Sequence, residues 1–232
     1  MTHAQRPACG ARGRWSAIPA AAFAVTLLGA VCERASAAEW SCYGAKPGHP
    51  TAAERERFVR EVSALAVRAE RRHGVPASAL AAIAIAESNY GWTRAALYAN
   101  NPFGWKATRA AAKTGRAYVA PCARRGGTAF RKFSSRDAAF EHVAGRLATI
   151  AAYRTHTEAY RERRKRGADP AAAVDAWIAG IAPRYAGDAQ AFVDKLTRVM
   201  NDPLEPSDTR SAETTLYRLS ADPAAPTNEV RR

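Results

Sequence analysis

Residues 76–106 read PASALAAIAIAESNYGWTRAALYANNPFGWK: an apolar run ending in one carboxylate, then a loop rich in aromatic residues and Asn. Pro76 suits the first turn of a helix, where its missing N–H costs nothing, and Gly91 is a natural stop. Leu80, Ile83, Ala84 and Glu87 fall at i, i+3, i+4 and i+7, so Glu87 continues the stripe by which Leu80 and Ile83 enter a core. Apolar flanks and the negative end of the helix dipole both disfavour an ionised carboxylate there, which predicts a proton-holding acid. Such an acid suits protonation of a leaving oxygen. The same placement also fits a buried Glu neutralised by one of the many Lys and Arg. In the loop, Trp92, Tyr98, Phe103 and Trp105 are interleaved with Asn89, Asn100, Asn101 and Lys106. Flat rings for sugar faces and amide or ammonium donors for hydroxyls are the materials of a carbohydrate groove. Aromatic clusters are often core, but a core seldom admits three Asn and a Lys among its rings.

Working outward, Thr51-Ala52-Ala53-Glu54 is a capping box that opens a helix to about His73, with Phe58, Val62, Leu65 and Ala69 inward. After Trp105 the helical period is lost. Ala117–Val119 and Thr128–Phe133 predict two short strands around a Pro- and Gly-containing loop. Ser134 or Ser135 caps the next helix, with Phe140, Val143, Leu147 and Ile150 inward. Residues 155–166 are strongly basic and read as a solvated helix face. Asp169-Pro170 starts a helix that buries Val174, Trp177, Ile178 and Ile181. Tyr185-Ala186-Gly187 reads as a turn. Asp188 then caps a last helix with Phe192, Leu196 and Val199 inward. The expected organisation is an N-terminal arm over 38–50, a mainly α-helical domain with a small hairpin over 51–203, and a flexible tail over 204–232.

Arg6, Arg12 and Arg14 precede an apolar run from Ala17 to Val31, and Ala35-Ser36-Ala37 offers a small-x-small cleavage site. Residues 1–37 therefore read as a secretory signal peptide, with an uncleaved anchor as the alternative, and the expected location is periplasmic or secreted. Cys32, preceded by Gly29-Ala30-Val31, fits a lipoprotein signal poorly. Cleavage removes four Arg and one Glu, so the formal net charge of +14 falls by 3 to +11. Such a balance favours polyanions. No zinc-finger, RNA-binding or helix-turn-helix signature is present, so nucleic acid is not expected. An anionic cell-wall or membrane surface is the expected partner, and a merely solubilising basic surface is the alternative. Cys9 and Cys32 leave with the signal peptide. Cys42 and Cys122 remain in an oxidising compartment and are expected to pair with each other, tying the N-terminal arm to a loop near the site, with intermolecular pairing as the alternative.

The patterns A-E-S-N-Y-G and A-N-N-P-F-G-W-K resemble the helix-end Glu and the N-N-L-F-G-x-K loop of the bacterial peptidoglycan N-acetylglucosaminidases, glycoside hydrolase family 73. The resemblance continues in FRKFSSRDAAFEHVAGRL and in PRYAGDAQAFVDKL, which is similar to the family's Y-A-T-D-P-x-Y segment, and it covers roughly residues 53–202. It implies a lysozyme-like helical domain with a hairpin lobe, acting as a monomer on peptidoglycan strands at N-acetylglucosamine. It implies Glu87 as the acid, and Ser88, Tyr90, Trp92, Asn100, Asn101, Phe103, Trp105 and Lys106 as substrate contacts. The chain departs from the family in one respect. Members often carry a second acid in the hairpin lobe, whereas no Asp or Glu lies between Glu87 and Asp137, where Cys122, Arg124 and Arg125 stand instead. The second catalytic role then falls to the substrate's own acetamide, to Tyr185, matching the family's Y-A-T-D tyrosine, or to Asp137 or Asp188, which also read as helix caps. A lytic transglycosylase and a non-catalytic wall-binding protein are the competing readings.

Other chemistries find little support. The five His show no H-E-x-x-H spacing, and no metal or cofactor is expected. His142, in mid-helix, reads as a surface or core histidine. No G-x-S-x-G elbow is present, and Ser88 reads as a hydrogen-bond partner of Glu87 rather than a nucleophile.

Overall fold

The computed structural model describes residues 39–124, 127–204 and 214–221. The signal peptide expected over 1–37 lies outside them. The domain is mainly α-helical, with one small antiparallel hairpin.

Helix α1 (Ala52–His73) starts at the expected capping box: the Thr51 hydroxyl accepts from the Glu54 N–H, and the Glu54 carboxylate accepts from the Thr51 N–H at 2.8 Å. It ends at Gly74, whose φ of +68° is the left-handed geometry that a side chain would resist. Helix α2 (Ala77–Ser88) is the centre of the fold, with every residue from Ala77 to Ile85 at most 2% exposed. A helix that is apolar on all sides must be enclosed. Here α1, α7 (Pro170–Tyr185), α8 (Ala189–Asn201) and α9 (Arg218–Ala221) enclose it. Its alanines at 77, 79, 81, 82, 84 and 86 let those neighbours come close.

The ends of α2 differ from expectation by a few residues. Pro76 is the residue before the first turn. The helix stops at Ser88, because Asn89, Tyr90 and Gly91 are all left-handed, with φ of +47°, +56° and +85°. The Ser88 hydroxyl organises this exit: it donates to the Ala84 carbonyl at 2.5 Å and accepts from the Gly91 N–H at 2.7 Å. Asn at the first left-handed position tolerates that backbone.

Beyond α3 (Arg94–Ala99) and α4 (Arg109–Lys113), strands β1 (Ala117–Val119) and β2 (Ala129–Arg131) form the hairpin, with Tyr118 opposite Phe130. Helix α5 (Arg136–Thr149) is capped by Ser135, and α6 (Ala151–Lys165) buries Thr157 and Tyr160 beneath its basic face. Trp177, fully buried on α7, donates its indole N–H to Thr157 at 3.1 Å.

Four expectations change in detail. Ile150 is a half-buried joint between α5 and α6 rather than a core residue. Val199 is half-buried, and Met200 is fully buried in its stead. Tyr185 is the last residue of α7, not part of a turn. Finally, residues 214–221, within the stretch read as a flexible tail, dock on the core. Leu216, Tyr217 and Leu219 are buried, and the Tyr217 hydroxyl donates to Asp175 at 2.6 Å. The rest of that stretch beyond 204 lies outside the described residues. The reason for the docking is a buried carboxylate. Glu70 accepts from the Tyr160 hydroxyl at 2.6 Å, the Ala77 N–H at 2.8 Å and the Ser220 hydroxyl at 3.2 Å. Burial pushes its pKa up, and those three bonds pull back against the rise. Ser220 also accepts from the Ser78 N–H, so the segment satisfies polar groups at the start of α2.

The N-terminal arm is tied to the lobe by the disulfide Cys42–Cys122, an intrachain bond. An isolated bridge between Ala45 and Thr93, the Lys46 N–H to Trp92 carbonyl bond and a His49–Trp92 stack at 3.8 Å hold it as well.

Candidate active site

Glu87 is the last-turn residue of the buried helix, placed where the chain leaves the core. Its side chain is 33% exposed and accepts a bond from the Lys195 ammonium of α8 at 3.1 Å. The water-poor acid expected from the flanking sequence is thereby corrected. The apolar neighbours of Glu87 in sequence face the core, whereas its own side chain opens onto a cleft.

That cleft, about 280 Å³, lies between the end of α2, the disulfide-tied arm and the hairpin. Glu87, Lys106, Arg94, Thr93, Tyr43, Tyr118 and Phe130 line it, with Glu87 as the one carboxylate among the described residues of the lining. Aromatic rings flank it in two groups: Tyr43 against Phe130 at 6.1 Å, and Trp40, Tyr98 and Tyr118 in a chain at 6.3 and 6.0 Å. Tyr43 and Tyr98 are about half exposed, an unusual state for large rings. Arg94 stacks over Trp40 at 3.7 Å. Its Nε, like the Tyr118 hydroxyl, is buried without a partner among the described residues.

Tyr185 sits near Glu87, at the end of α7, between Phe192 at 5.1 Å and Tyr153 at 6.3 Å. Its hydroxyl is buried and takes no partner among the described residues. Burial, then the Glu87 charge, pushes the phenol pKa far up, so it is a neutral hydroxyl throughout the working range.

The expected substrate contacts separate into two classes. Lys106 is exposed and lines the cleft. The others do not. Ser88 is fully buried, with its hydroxyl committed to the helix end. Asn100 caps α3 and donates to the Phe133 carbonyl at 3.1 Å. Asn101, fully buried, donates to the Trp105 and Arg131 carbonyls and accepts from the Trp105 N–H. Phe103 is core, edge-on to Phe140 at 4.7 Å. Trp105 packs against the core beside His142. Tyr90 and Trp92 line a separate hollow with Arg136 and Phe58. The Asn-rich loop is thus a scaffold: amides satisfy the backbone of a chain that must turn sharply. The two aspartates weighed as bases, Asp137 and Asp188, stand away from the cleft lining. Asp137 pairs with Arg68, and Asp188 caps α8. Sequence reasoning missed Tyr43, Tyr118 and Phe130. Strand alternation at Tyr118 and the Cys42 neighbour Tyr43 were the available signals. Among the described residues no three His, Cys, Asp or Glu gather to hold a metal ion.

Residues 63–204 match the family model described as mannosyl-glycoprotein endo-beta-N-acetylglucosaminidase. Among solved structures, the catalytic domain of the autolysin Auto from Listeria monocytogenes is similar at 20% identity and a TM-score of 0.47, covering 65% of this chain and 84% of that one. An N-acetylmuramoyl-L-alanine amidase from Staphylococcus aureus is similar at 18% identity and a TM-score of 0.50, covering 73% of this chain and 44% of that one. No curated protein matches the chain.

Proposed function

The chain belongs to the mannosyl-glycoprotein endo-beta-N-acetylglucosaminidase family, and from that premise we propose that it is an exported hydrolase that cuts peptidoglycan strands at N-acetylglucosamine. The observation that carries the reading is Glu87, the one carboxylate of the lining among the described residues, at the end of a buried helix and opening into a cleft walled by the rings of Tyr43, Tyr118 and Phe130.

In this reading a glycan strand lies along the cleft with its C–H faces on Tyr43 and Phe130. Glu87 takes up a proton from solvent as the strand displaces Lys195, and gives it to the glycosidic oxygen as the C–O bond breaks. The anomeric carbon is attacked from the other face by the sugar's own acetamide oxygen, or by a water oriented by the Tyr185 hydroxyl. Water completes the hydrolysis and its proton returns to Glu87. Among the described residues the lining holds no second carboxylate, which is the reason to assign attack to the acetamide or the Tyr185-held water. Lys195 holds the Glu87 carboxylate in the free protein and gives way when a strand enters.

Glu87→Gln is expected to abolish release of reducing ends from purified sacculi while the melting temperature stays within a few degrees. Undiminished lysis by that variant would remove Glu87 from the chemistry. A lone carboxylate also suits a lytic transglycosylase. Mass spectrometry separates the two, since anhydro ends in place of reducing ends identify the transglycosylase.

A further inference from the structure

Strand alternation gives the hairpin a second face. Tyr118 and Phe130 line the cleft, so Arg131, the next residue on β2, points to the opposite side. There it borders a separate cavity of about 560 Å³, together with Arg116, Lys132, Ser134 and His142. Arg131 lies over the Phe133 ring at 5.5 Å. The cationic groups of Arg116, Arg131 and Lys132 have no acidic partner among the described residues. His142 forms the inner wall, 6.0 Å from Trp105 and 5.4 Å from Phe133. Burial, then the charges of Arg131 and Arg146, holds its pKa down to about 4.

The acids closest in sequence are engaged elsewhere. Ala138 and His142, four residues apart, turn one face of α5 to the cavity. The neighbouring face turns to α1, where Asp137 meets Arg68 at 2.8 Å and Glu141 meets Arg72 at 2.9 Å and His73 at 3.0 Å. Between Glu87 and Asp137 the sequence holds no acid at all. The positive end of α5, a 14-residue helix, also borders the cavity through Ser134. Gathering like charges without a counter-ion is costly unless a ligand supplies one.

We propose that this cavity binds a phosphate monoester, carried either by a lipid headgroup or by a soluble molecule. A carboxylate has one charge and two oxygens, too few for three cations, whereas a phosphate monoester has three non-bridging oxygens and up to two charges. The cavity is also wider than the anion, leaving room for the group to which it is esterified. The proposal is independent of the glycan-cleaving reading, since the two pockets lie on opposite faces of the ribbon.

The test is an NMR pH titration of the His142 ring in the full chain, assigned with His142→Gln, with and without inorganic phosphate. A bound anion supplies the missing counter-charge, so the midpoint is expected to rise from about 4 to about 5 or above. Arg131→Gln and Arg116→Gln should each weaken phosphate binding at least about tenfold, as befits one charge-assisted contact. Two variants are used so that a folding defect in one leaves the other informative. A midpoint that phosphate does not move, or that chloride at equal ionic strength moves as far, overturns the proposal. Sedimentation with phosphatidic acid and phosphatidylcholine vesicles then names the source. Capture by the anionic vesicles that Arg131→Gln loses assigns the headgroup. No capture, or capture that the variant does not change, with the phosphate effect intact, assigns the soluble source.

Discussion

Tyr185→Phe tests the site by setting stability against activity. The substitution removes one oxygen and leaves the ring that stacks on Phe192 at 5.1 Å. The oxygen removed is buried and without a partner among the described residues. A buried polar group left unsatisfied costs about 1–3 kcal/mol, so an ordinary packing role predicts that Phe is tolerated or preferred. Because the ring is only half-buried, the lower end applies, a gain of about 1 kcal/mol. For a domain of this size that corresponds to about 2–4 °C in melting temperature. If the hydroxyl orients the attacking water or acetamide, release of reducing ends from sacculi should meanwhile fall by roughly 10²-fold or more, the usual scale of a lost acid–base partner. Thermal melting and a sacculus assay on the same preparation read both quantities. A variant that melts several degrees lower with unchanged lysis would refute the reasoning, because the hydroxyl would then be a structural group with a satisfied bond.

Replacing Cys42 and Cys122 by Ser opens a loop of 80 residues, and the chain-entropy relation gives a loss of about 4.5 kcal/mol. Denaturant unfolding checks this, and a loss under about 1 kcal/mol would mean that the Trp40–Arg94 and His49–Trp92 contacts hold the arm unaided. Lys195→Ala breaks a partly exposed ion pair, so unfolding free energy should move by less than about 1 kcal/mol; a larger fall would place Glu87 in a structural role. A buried and a half-buried group set opposing pH responses. Glu70 has a raised pKa, so the folded chain binds its proton first, and its stabilising contribution is full below pH 4.5 and is lost as pH rises. His142 is depressed from 6.5 to about 4, so its contribution is present above pH 6.5 and lost as pH falls toward 4. Chemical unfolding between pH 4 and 7 should therefore show Glu70→Gln without the acid-side gain and His142→Gln without the acid-side loss. Parallel curves for wild type and both variants would count against these assignments.

The helices were legible because their signals are local. The Thr51–Glu54 capping box, the Asp169-Pro170 start and the spacing of Val174, Trp177, Ile178 and Ile181 each lie within a few residues of what they specify. Glu87 was legible for the same reason, since an acid that closes an apolar helix is a local anomaly. The Asn-rich loop misled because Asn serves sugar hydroxyls and backbone carbonyls with the same atoms; only the positions of the Phe133, Trp105 and Arg131 carbonyls decide between them. The segment 214–221 looked like tail because its few apolar residues have no period. Its partner is a carboxylate 150 residues earlier in the chain, Glu70, that it helps to satisfy.

By itself, then, the sequence determined the long helices to within a few residues, most of the stripe that each buries, and which carboxylate ends the central one. Tertiary structure alone decided that this carboxylate meets Lys195 at the edge of a cleft, that Tyr43, Tyr118 and Phe130 wall that cleft, and that the basic residues of the lobe gather on its far side. Capping and periodicity are short-range properties of one strand of chain. Solvent exposure and charge environment depend on residues that only the folded chain brings together.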